Sequence, residues 1–71
     1  MDYLSQQWID AIFDAKEAKE GGVVRRAVDS VQKNASEELL VDAVKARSFH
    51  VVRTETQYVV LCNSGEIKLL V

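Results

Sequence analysis

Phe49-His50-Val51-Val52-Arg53, Tyr58-Val59-Val60-Leu61-Cys62 and Ile67-Lys68-Leu69-Leu70-Val71 are the three stretches on which the fold of this chain turns. Each is β-branched or aromatic along most of its length, and polar residues separate them, so Ser48–Val71 reads as three short strands. The second break, Asn63-Ser64-Gly65-Glu66, suits a two-residue Ser64-Gly65 loop, because glycine takes positive φ without steric cost. That loop pairs Cys62 with Ile67, Val60 with Leu69 and Tyr58 with Val71. Directly paired residues share a face, and these six make one apolar, core-facing surface. A symmetric closure of the first break, Thr54-Glu55-Thr56-Gln57, pairs Arg53 with Tyr58, Val51 with Val60 and Phe49 with Cys62, which agrees with the same faces.

The opposite face then carries His50, Leu61 and Lys68 in one row and Val52, Val59 and Leu70 in the next, with Asn63 and Glu66 at the turn end. An antiparallel sheet with one wet face should alternate cleanly between apolar and polar. This face is half apolar, so the sequence predicts a cover for it. Val52, Val59, Leu61, Leu70, His50 and Lys68 are the expected interface. The cover is either the first helix of the same chain or a second copy related by two-fold symmetry.

Ahead of these strands, Leu4, Trp8, Ala11, Ile12 and Ala15 recur at helical spacing within a predicted helix from Asp2 to about Lys19, with Ile9 and Phe13 widening the stripe. Trp8, Tyr3 and Phe13 are expected in the core rather than on a recognition surface. Gly21-Gly22 ends this helix. Val24, Val28 and Val31, with Val23 and Ala27 alongside, predict a second helix from Val23 to about Lys33. Asn34 and Ser36 both suit an N-cap, and Asn34 followed by Glu37 resembles a capping box. A third helix therefore runs to about Arg47, with Leu40, Ala43 and Val44 inward, Glu37 and Glu38 near its positive end and Lys45 and Arg47 near its negative end. The expected class is α+β: one domain over residues 1–71, with three N-terminal helices followed by a three-stranded antiparallel β-meander.

A chain of 71 residues buries only roughly 60% of its unfolded surface, so self-association is an available source of stability. One cysteine permits no internal disulfide, and no Cys/His cluster has zinc-site spacing. No metal or cofactor is expected. Charges interrupt the N-terminal apolar residues and no apolar run approaches a bilayer span, so the expectation is a cytoplasmic protein without a membrane partner. Nine basic against eleven acidic side chains give a net charge of −2, which lacks the basic footprint of a general nucleic-acid binder.

Four functional constellations follow from the residues. Arg25 and Arg26, at the start of the predicted second helix, would place guanidinium groups beside free backbone N–H groups and so contact an anion. The second and third predicted helices with the terminal hairpin would form a winged-helix-like DNA-binding regulator, but its recognition helix would meet the groove with Glu37 and Glu38. Cys62 and His50 are the only nucleophile and base of the usual catalytic kind, and the register points them to opposite faces, so no catalysis is expected from them. The reading favoured is a non-enzymatic protein–protein interaction or regulatory module. Its expected partner is itself, as a homodimer through the apolar sheet face, or another protein.

Overall fold

In the computed structural model, which describes residues 3–68 and 70–71, α-helices pack on one side of a three-stranded antiparallel sheet. The elements in chain order are α1 (Tyr3–Phe13), α2 (Lys16–Lys19), β1 (Val23–Ala27), α3 (Val28–Asn34), α4 (Glu37–Ala46), β2 (His50–Arg53) and β3 (Gln57–Leu61). The α+β class and the antiparallel three-stranded sheet are as expected. The third strand is not.

The hairpin of β2 and β3 has the expected register, with Val51 opposite Val60 and Arg53 opposite Tyr58. On the other side of β3 lies β1, in the order β1-β3-β2, with Val24 opposite Val60 and Arg26 opposite Tyr58. A strand has two hydrogen-bonding edges, and both edges of β3 are taken. Ile67–Val71 therefore cannot pair with it, and the meander gives way to a sheet whose first strand precedes the helix pair. Leu69, expected opposite Val60, lies outside the described residues, as do Met1 and Asp2. The expected Ser64-Gly65 hairpin loop is replaced by a local turn in which the Gly65 amide donates to Asn63 Oδ1 at 2.9 Å.

Val23–Ala27 was expected to be helical. Val24 and Val28 are four residues apart, a spacing that fits a helix and also two strand repeats, and both are buried. The two β-branched residues Val23 and Val24 favour the strand, and burial alternates along it, with Val24 inward between outward Val23 and Arg25. The helix begins only at Val28, whose amide donates to Thr56 O at 2.9 Å.

The first predicted helix is likewise divided. Asp14 and Ala15 close it with bonds to Ala11 O and Ile12 O, three residues back, and Ala15 is extended before α2. This bend carries Ala18 into the core. Gly21 then takes φ +76°, open to glycine, and a Cβ on Gly22 would stand 3.0 Å from Glu17 O. The pair thus forms a tight corner into β1 as well as a helix stop.

Ser36, not Asn34, caps α4: its hydroxyl accepts the Leu39 amide at 3.1 Å, whereas Asn34 Nδ2 donates back to Ser30 O. At the other end, Ser48 N donates to Lys45 O and Phe49 N to Val44 O, both at 3.0 Å, with Ser48 at φ 59°. This is the paired-bond helix stop usually built on glycine. It points Phe49 back against the core.

The core lies between the helices and the inner sheet face. It gathers Ile9, Ile12 and Phe13 from α1, Val28 and Val31 from α3, Leu40, Ala43 and Val44 from α4, and Val24, Tyr58, Val60 and Cys62 from the sheet side. The α1 stripe is rotated from the expected one, since Leu4 and Ala11 are exposed and Ile9 is fully buried. Of the three N-terminal aromatics expected inside, Phe13 is buried, Trp8 is partly buried against the core and Tyr3 is exposed. Among the described residues, no helix is long and apolar enough to cross a membrane.

Candidate interaction surface

Sheet register decides what the outer face presents. Opposed positions place Val23, Leu61 and His50 in one row, and Arg25, Val59 and Val52 in the next. Val23, Leu61, Val59 and Val52 are therefore contiguous across all three strands, flanked by Arg25 and His50. Val23 and Val52 are 44% and 45% exposed, and Val59 and Leu61 are half-buried.

Four of the six expected interface residues, Val52, Val59, Leu61 and His50, come together here. Lys68 and Leu70 do not join them on the sheet, because their segment is not a strand; Leu70 is 90% exposed. Val23 takes a place in the patch that was not expected, because its stretch was assigned to a helix. A Val-Val pair directly after Gly-Gly was the available signal. His50 Nε2 lies 2.7 Å from Gly65 O, so the chain beyond β3 leaves the sheet beside this face.

Arg25 and Arg26 lie on β1. The helix N-terminus on which their anion contact rested is absent there, and Arg26 Nη1 donates to Arg25 O at 2.7 Å. Cys62 is buried on the core side, its thiol pushed up by burial, while His50 stands on the outer face. The two face apart, as the register required. Among the described residues, no three His, Cys, Asp or Glu side chains converge on a metal site.

The exposed side of α4 is largely acidic. Its outward stripe is Glu38, Val41, Asp42 and Lys45, beside Glu37. Glu37 Oε1 accepts from Tyr58 Oη at 2.7 Å and from Arg53 Nη1 at 2.8 Å, so the arginine on the hairpin is already paired. Arg47 is also engaged: its guanidinium lies 4.0 Å from the Phe13 ring centre and donates to Ala43 O at 3.1 Å.

The hydrogen bond from Tyr58, followed by that from Arg53, holds the Glu37 carboxyl below its ordinary value. Burial, and then the bond to Glu37, raises the Tyr58 phenol. A carboxyl depressed on folding stabilises the folded state above its unfolded pKa, and that contribution is lost as pH falls through the folded value. Stability is therefore expected to decline with acid from about pH 4 downward. Urea titrations across this range should show a shallower acid limb for Glu37→Gln than for the wild type. An identical acid limb in the two proteins would contradict the role given to this carboxylate.

In comparisons with known proteins, the chain matches no family model, no curated protein and no solved structure.

Proposed function

We propose that this protein is a small non-enzymatic interaction module that pairs with a second copy of itself through the outer face of its sheet. The apolar strip of Val23, Leu61, Val59 and Val52 across three adjacent strands carries this reading. A cover from within the chain is disfavoured. α1 was the alternative cover, but Ile9, Ile12 and Phe13 commit it to the inner side. A two-fold arrangement would bring the strip against itself, with Arg25 and His50 at the rim, and would bury apolar side chains at about 25 cal/mol per Å². For a chain of this length that gain is a sizeable fraction of its stability.

Val59 is the position to test. It sits on the central strand with its side chain outward, so Val59→Lys can extend its stem over the sheet and keep its charge in water. The variant should keep the wild-type circular dichroism spectrum and lose self-association by at least tenfold in dissociation constant, about 1.4 kcal/mol. A lysine variant that associates as the wild type does would reject this face as the contact.

One observation favours a second reading, a DNA-binding regulator. Apart from the one-turn α2, the order helix, strand, helix, helix, hairpin, with only Ala35 and Ser36 between α3 and α4, follows the plan of winged-helix proteins. Shape alone does not assign function, and Glu37, Glu38 and Asp42 on α4 oppose a phosphate-lined groove. Tight, steeply salt-dependent binding of duplex DNA in a gel shift would favour this reading over the first.

A further inference from the structure

The free edge of β1 is open to another strand. Cys62 N donates to Gly22 O at 3.0 Å and Val28 N to Thr56 O at 2.9 Å. In an antiparallel ladder such bonded pairs alternate, so Gly22, Val24, Arg26 and Val28 bond toward β3. The backbone groups of Val23, Arg25 and Ala27 then face away from the sheet. A groove of about 380 Å³ runs along this edge, lined by Glu17, Val23, Val24, Arg25 and Arg26. The Arg25 carbonyl is held by Arg26 Nη1 at 2.7 Å, a side-chain bond that an incoming strand's amide would replace, and the remaining edge groups are a template for strand addition.

The chain also carries a segment suited to fill it. Glu66-Ile67-Lys68-Leu69-Leu70-Val71 is rich in strand-forming and apolar residues, and Ile67 and Leu70 are exposed. Its six residues would extend over about 20 Å, against about 17 Å for the five residues of β1. The charges are complementary, since Arg26 can meet Glu66, and Glu17 can meet Lys68.

We infer that the C-terminal segment of one copy adds as a fourth strand to the β1 edge of another. This rests on the self-association proposed above and names the segment that is exchanged. A second copy is favoured over the chain's own segment because His50, on β2, holds Gly65 O. β1 lies two strand spacings away, about 10 Å, so the chain's own segment would have to cross the outer face to reach it. A partner's segment can run along the edge and extend the apolar strip.

Amide hydrogen exchange on the full chain at low and high concentration tests this. The amides of Val23, Arg25 and Ala27 should exchange at least tenfold more slowly in the associated state than at dilution. Ile67→Asp, at an exposed position, should remove that protection without unfolding the domain. Arg25→Pro should also remove it, since proline deletes an amide that β3 does not use. If the protein associates while these amides stay unprotected, strand exchange is overturned and the sheet-face contact stands. Protection that persists in a dilute monomer would overturn it too, because the added strand would then be the chain's own. Loss of association in Val59→Lys reports on the face contact separately.

Discussion

Leu40→Ala is expected to leave the chain largely unfolded at room temperature. Leu40 is fully buried (0% exposed) on α4, within the single cluster that joins all the helices to the sheet. Truncating a buried leucine costs about 2 to 5 kcal/mol, through lost transfer energy and the cavity left behind. A domain of this size draws no more than about 3 to 5 kcal/mol from its core. The cooperative thermal transition seen by circular dichroism should therefore vanish or fall below room temperature. Val52→Ala, at an exposed position on the outer face, should leave the monomer's transition nearly in place. A Leu40→Ala protein as stable as the Val52→Ala protein would contradict the assignment of inner and outer faces.

Tyr58 offers an effect of similar size that separates packing from hydrogen bonding. It is 1% exposed, one of the largest fully buried side chains, and its hydroxyl reaches out of the core to Glu37 at the start of α4. Tyr58→Ala should cost about as much as emptying an aromatic core site, roughly 3 to 5 kcal/mol. Tyr58→Phe keeps the ring and removes only the bond, for a loss of about 1 to 2 kcal/mol. Paired urea melts of the two variants measure the difference. Equal losses would mean that the hydroxyl, not the ring, fastens the hairpin to α4.

The hairpin of β2 and β3 was legible from its residues because period-2 alternation and a short polar break determine register together, and Tyr58, Val60 and Cys62 fell on the core side as expected. The α4 helix was legible for the same kind of reason: its inward stripe and its end charges agree, and of the two caps offered Ser36 is the one used. Val23–Ala27 misled because two short repeats, of strand and of helix, place Val24 and Val28 alike. The β-branched pair Val23-Val24 after Gly21-Gly22 leans toward the strand, and the pairing with β3 decides it. Ile67–Val71 has the composition of a strand, but composition does not say whether an edge is free, and β1 had taken it. The outer apolar face survived this exchange of strands. Val23 took the place expected for Lys68 and Arg25 that expected for Leu70, since any strand beside β3 contributes alternate residues to that face.

Sedimentation velocity of the wild-type protein, from low to high micromolar concentration, tests the central claim most directly. The mass should rise from 8.0 kDa toward roughly twice that value, as two-fold closure requires, and Val59→Lys should stay at the lower mass. A wild-type protein that remains monomeric at high micromolar concentration would contradict it.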